Sequence, residues 1–211
     1  MTHVIWDWNG TLVDDHDVVI ESVNAVMAAY DGPPVTSETY LDRYHRPVHR
    51  FYEYLLGMSI TDDHWHRIDS IFNDHYHSRL HAVPLAPNAE QALASVARLG
   101  HTQSLLSMWR HDLVTREAGR HGIASWFQRI EGNRTRSGDP KSVSLRLHLE
   151  ALDLIPSDVT MIGDTLDDFD AAAAIGARII LVTGSQNPDK LRATGAPVVD
   201  SLTEAITHLP A

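Results

Sequence analysis

The chain has 211 residues, 43% of them hydrophobic and 21% charged, a composition of packed globular proteins rather than disordered ones. A formal net charge of −11 with His neutral leaves no surplus of Lys and Arg to displace counterions, which argues against a nucleic-acid partner held by phosphate neutralisation. No cysteine is present, so disulfides, thiolate catalysis and Cys-ligated zinc are excluded.

The N-terminus lacks the basic start and long apolar run of a secretory leader. The most apolar later stretch, AAAAIGARIILVTG, is too short to span a bilayer and contains Arg178. A cytoplasmic protein without a membrane partner, a monomer or homodimer, is expected. The length suits a core of roughly 130 to 140 residues with a smaller inserted domain.

In chain order, a short apolar run over 3–6 (HVIW) ends on Asp7 and breaks at Asn9-Gly10. Residues 15 to about 84 then read as helical patterns rich in His, Tyr and Arg, with Pro47 demanding a helix break or start. AVPLAPNAE returns the chain to strands QSLLS (103–107), RIEG (129–132), VTMIGD (159–164), RIILVTG (178–184) and PVVD (197–200). Between them lie NAEQALASVARLG, HDLVTREAGRHG, PKSVSLRLHLEALDL, DDFDAAAAIG and NPDKLRATG, with three- and four-residue apolar spacing and mostly a terminal Gly. This alternation implies an α/β fold with a doubly wound, Rossmann-like parallel sheet. The expected division is a core of 1–14 and 85–211 and an inserted helical domain over 15–84.

Such sheets bind ligands beyond the carboxyl ends of their strands. The residues there are Asp7-Trp8-Asn9-Gly10-Thr11, Ser107-Met108-Trp109, and Asp164 through Asp168, with Lys141 opening a helix after a Gly-Asp-Pro turn. The set resembles the haloacid dehalogenase-like hydrolase superfamily, in its phosphoglycolate-phosphatase-like branch. The first motif, Asp-x-Asp-Gly-Thr after an apolar strand, reads VIWDWNGTL; the second is Ser107 in LLSMW, the third Lys141, the fourth MIGDTLDD with Asp164 and Asp168. The resemblance implies a Mg²⁺-dependent phosphatase with a helical cap, acting on a small phosphorylated metabolite through an aspartyl-phosphate on Asp7. It implies metal ligation by Asp7, Asp164, Asp168 and the Asn9 backbone carbonyl, charge compensation by Lys141, and substrate binding by Thr11, Ser107 and Met108.

One position departs from the pattern. The family's second motif-one Asp, the proton-transfer group, is Asn9 here, and an amide cannot shuttle a proton at neutral pH. The substrate's leaving group would then need little protonation, as in acyl, aryl or anhydride phosphates, or Asp14, Asp15, Asp17, His45 or His49 would act as the acid. The alternatives are a weak or inactive phospholigand-binding relative, a phosphomutase and a dehalogenase. Arg46 and Arg50, in the basic run that also holds Arg43, His45 and His49, are the expected cap contacts to an anionic substrate. His64, His66, His75, His77 and His81 are read as surface residues, since i, i+2 pairs point apart on a helix.

Overall fold

The computed structural model describes residues 1–134 and 140–210; the Gly138 and Asp139 of the expected turn before Lys141 lie outside the described residues. Six parallel strands, β1 (His3–Trp6), β2 (Thr102–Arg110), β3 (Ile130–Asn133), β4 (Val159–Gly163), β5 (Arg178–Val182) and β6 (Val198–Val199), form one sheet in the order β3-β2-β1-β4-β5-β6. The order reverses at β1, so the loops leaving β1, β2 and β4 open onto one crevice.

The central strands are buried on both faces, which is why they are apolar without strict alternation. Val4, Trp6 and Leu105 face α5 (Ala89–Arg98), α6 (His111–Arg120) and α10 (Leu202–Thr207), through Ala92, Leu93, Val96, Val114, Ala118 and Leu202. Ile5 and Leu106 face α7 (Lys141–Leu152) and α8 (Leu166–Ile175), through Leu145, Leu149, Ala171 and Ala172. Each fully buried Leu or Val here contributes about 1.5–3 kcal/mol.

Between β1 and α5 the chain forms α1 (His16–Ala29), α2 (Ser37–Arg43), α3 (Val48–Leu56) and α4 (Asp62–Arg79), which bury their own apolar cluster of Val23, Val26, Met27, Tyr40, Phe51, Tyr52 and Ile68. The two chain crossings into this insert lie side by side: Asp14 donates to the Pro84 carbonyl at 3.1 Å and Ala86 to that of Leu12 at 2.9 Å. Pro47 stands immediately before α3, as its missing N–H requires.

Two expectations need correction. Strand β2 does not end at Ser107: it continues to Arg110, because a register irregularity between Leu106 and Arg110 bends it without ending its pairing to β3. Nor are the α4 histidines uniformly superficial; His75 and His77 are half-buried, His75 meeting the Ser22 hydroxyl at 3.2 Å and His77 the Trp109 ring.

Candidate active site

Asp7 continues β1 by donating its backbone N–H to the Ile162 carbonyl at 2.9 Å, which aims its side chain out of the sheet's carboxyl edge. The next residues fold into a tight turn in which the amides of Thr11, Leu12 and Val13 all reach the Trp8 carbonyl. Gly10 in that turn has φ +70°, and a Cβ there would stand 2.2 Å from Asp164 Oδ2, so both conformation and space require glycine. Gly163 answers a similar demand on β4, where a Cβ would lie 2.4 Å from Asp168 Cγ.

These close approaches bring Asp7, Asp164 and Asp168 together, all buried, with carboxylate oxygens within 4.8 Å of one another. Lys141, at the first turn of α7, reaches Asp7 Oδ1 and lies 2.5 Å from Asp168 Oδ1. Asp164 is held by the Thr11 hydroxyl at 3.0 Å and the Ser185 N–H at 2.8 Å. Asp168 Oδ2 accepts from the Thr165 N–H at 3.0 Å and its hydroxyl at 2.6 Å, the reciprocal cap of α8.

Burial raises the Asp7 carboxyl to about 7, against the lowering effect of Lys141 and with the help of Asp168. Burial, then the Asp7 and Asp168 charges, raises Asp164 to about 8. Asp168 is held below the usual carboxylate range by Lys141 and the Thr165 hydrogen bonds, against burial. Three crowded carboxylates and one ammonium sum to −2 when all are ionised, and all the donors are oxygen; the set fits a hard divalent cation.

Asn9 does not sit loosely at this mouth. Its Nδ2 donates to Asp15 Oδ2 at 2.8 Å and to Tyr76 Oη at 2.9 Å. Asp15 also accepts from the Tyr76 hydroxyl at 2.6 Å and from the Gly10 N–H at 2.9 Å. A carboxylate gathers three donors, so its oxygens act as acceptors. Asp15→Asn is expected to cost about 1–3 kcal/mol in urea unfolding, because an amide offers one acceptor oxygen where three donors converge. Unchanged stability would mean these contacts do not hold the turn.

Asp7, Asn9, Ser107, Met108, Arg46, Lys141 and Asp168 line a single cavity of about 280 Å³. Thr11 is not in this lining; its buried hydroxyl donates to Asp164. Arg50 is exposed and absent from the lining, since on α3 its successors Phe51 and Tyr52 take the inward face. Arg46 precedes that helix and pairs with Asp167 at 3.3 Å. Asp14, Asp17 and His45 are exposed, and neither they nor His49 line the cavity; of the five alternative acids only Asp15 does. Ser185 and Tyr76 were not foreseen, the former lying past β5 where GSQNP carries no specific signal, the latter unmarked within α4.

A profile of the haloacid dehalogenase-like hydrolases matches residues 4–182. The chain belongs to this family. Among relatives of the haloacid dehalogenase-like chain, a phosphoglycolate phosphatase of Cupriavidus necator is 26% identical over 217 residues, covering 100% of this chain and 92% of that protein. A phosphoglycolate phosphatase of Vibrio parahaemolyticus is 26% identical over 218 residues, covering 96% and 93%. A haloacid dehalogenase-like hydrolase from Streptococcus pneumoniae superposes with a TM-score of 0.85 at 17% identity, covering 99% and 98%, a likeness of fold. No helix among the described residues is long and apolar enough to cross a membrane.

Proposed function

We propose that this hydrolase is a Mg²⁺-dependent phosphatase of small phosphomonoesters that works through an aspartyl-phosphate on Asp7, with the helical insert over 15–84 as its cap. The observation that carries the reading is the buried Asp7 carboxylate, paired with Lys141 and grouped with Asp164 and Asp168, at a cavity that Asp7, Lys141 and Asp168 line. The names of the curated relatives support the reaction class.

In the first step an Asp7 carboxylate oxygen attacks phosphorus, the bond to the leaving oxygen breaks, and that oxygen keeps the electron pair. Water then attacks phosphorus, the bond from phosphorus to the Asp7 oxygen breaks with its electron pair returning to the carboxylate, and the water's proton leaves with the phosphate or to solvent. Lys141 offsets charge on Asp7 and the transferring group, and Ser107 with nearby backbone N–H groups binds phosphoryl oxygens. Asp7, Asp164 and the Asn9 backbone carbonyl would hold Mg²⁺, with Asp168 directly or through water. Bound there, the cation would supply charge neutralisation for the phosphoryl oxygens. Asn9 Nδ2 is committed to Asp15 and Tyr76, which fixes the amide and leaves its oxygen as an acceptor.

Phosphate release from small phosphate esters in Mg²⁺, abolished by EDTA, is the expected result; no release from any ester would refute the reading. A thermal shift supplies a second readout. Carboxyls raised by burial stay protonated in the folded state while the unfolded chain ionises, so the metal-free protein should lose stability as pH rises from about 4 towards 8. Mg²⁺ should therefore raise Tm more at pH 8 than at pH 5.5; equal shifts would place the cation elsewhere.

A further inference from the structure

We infer that the substrates of this site are aryl phosphomonoesters, whose ester group is an aromatic ring carrying no charge of its own. The inference rests on the phosphatase reading above and narrows it. From Asp7 and Lys141 the cavity of about 280 Å³ runs up into the insert, where Val19, Val23, Phe51, Trp65, Phe72 and Tyr76 line it. Phe72 and Tyr76 stack on each other at 5.8 Å and 11°, and both rings line the cavity.

Charge in the cavity points the same way. Apart from Lys141, Arg46 is the cation among the described lining residues, and it is already paired with Asp167. Asp15 and Asp69 add negative charge to the same lining. A leaving group bearing its own carboxylate, as glycolate does, would meet Asp15, Asp69 and Asp167 in the same lining, with Arg46, shared with Asp167, as its partner. An aromatic ring meets no such penalty.

Proton supply gives an independent argument. Asn9 has no proton to transfer; burial raises the Asp15 carboxyl, but its two oxygens are taken up by the Asn9, Gly10 and Tyr76 donors. A phenolate, whose conjugate acid has a pKa of about 10, departs without help; an alkoxide does not. In the balanced step, the bond from the Asp7 oxygen to phosphorus forms as the bond from phosphorus to the aryl oxygen breaks. The electron pair leaves on the phenolate, which takes its proton from water.

The test measures phosphate release with Mg²⁺ from phenyl phosphate, benzyl phosphate and phosphoglycolate. Benzyl phosphate keeps the ring but leaves as an alkoxide; phosphoglycolate replaces the ring with a carboxylate. Wild type is expected to show kcat/KM for phenyl phosphate at least about tenfold above both others. Asn9→Asp alone would set two carboxylates against each other, so the second protein is the exchange Asn9→Asp/Asp15→Asn, which keeps the local charge and moves the acid to the mouth. It should raise kcat/KM, which reads the leaving-group step, for benzyl phosphate by about 10² or more and for phenyl phosphate by much less.

Phosphoglycolate or benzyl phosphate equal to phenyl phosphate in wild type, or an unchanged phenyl-to-benzyl ratio in the exchanged protein, would overturn the aryl inference and leave the phosphatase standing. No release from any of the three by either protein would overturn both.

Discussion

Asp7→Asn is expected to lower phosphate release by about 10⁴ to 10⁶, the range seen when a nucleophile or its partner is removed from other hydrolases. The same substitution should raise the Tm of the metal-free protein at pH 8. The two effects have one cause. Asp7 is a buried carboxylate whose charged form is disfavoured by burial and by Asp168 more strongly than Lys141 favours it, which is why its carboxyl is pushed up to about 7. An amide of the same shape removes that penalty and leaves Lys141 its contact with Asp168. It also removes an anionic oxygen from the cluster, so Mg²⁺ should stabilise the variant less than wild type. Turnover and thermal unfolding in EDTA and in Mg²⁺ measure all three. Retained turnover would remove Asp7 as nucleophile, and a lower Tm in EDTA would show that its charge is an asset to the fold and not a cost.

What the sequence revealed of this site follows the reach of the physics involved. Asp7, Gly10, Asp164 and Asp168 were legible because strand ends and a tight turn place them through local backbone geometry, and Gly10 and Gly163 are small because carboxylates stand where a Cβ would be. The Thr11 hydroxyl bonds across to Asp164, 153 residues away, a contact with no local signature. Tyr76 had no local signature at all: its bond to Asp15 spans 61 residues and exists only because α4 packs back along α1. The aromatic lining has the same origin, being assembled from several helices whose individual patterns announced only that they bury one face. The extension of β2 to Arg110 was missed because an irregular register leaves no mark on hydrophobic pattern.

Asn9 and Asp15 form a hydrogen-bonded pair. Position 9 taken alone holds an amide. With Asp15 beside it, the loop has kept a carboxylate but set it one hydrogen bond back from the mouth, where Tyr76 and Gly10 hold it as an acceptor. The loop thus keeps a carboxyl group at Asp15, raised by burial against the hydrogen bonds of Tyr76, Asn9 and Gly10.

The second large effect lies away from the site, on the face of the sheet under α7. His3 on β1 and His148 on α7 are both buried, and their Nε2 atoms meet the Ser104 hydroxyl at 2.7 Å and 2.8 Å; His3 Nδ1 meets Thr102 Oγ1 at 2.7 Å. His148 Nδ1 is buried without a hydrogen-bond partner. A serine hydroxyl has one proton to give, so a consistent chain runs from His148 Nε2–H to Ser104, from Ser104 O–H to His3 Nε2, and from His3 Nδ1–H to Thr102. Protonating His148 would bury an N–H with no acceptor; protonating His3 would aim two donors at Ser104.

Burial accordingly lowers both imidazoles to about 4, with Arg129 and His3 adding to the effect on His148. The folded values lie below the unfolded value of about 6.5, so the unfolded chain takes up protons first, and stability is lost as pH falls from about 6.5 towards 4. At pH 5 the pair should cost roughly 3–4 kcal/mol relative to pH 7.5, a large part of a typical folding free energy. The raised carboxyls of Asp7 and Asp164 pull in the opposite direction, so the telling quantity is a difference between proteins in which they cancel. Urea unfolding of wild type and His148→Leu in EDTA at both pH values should show the acid loss reduced by about 1.5–2 kcal/mol in the variant. An identical loss in both would mean that His148 is free to protonate in the folded state, and that the hydrogen-bond chain through Ser104 does not hold it neutral.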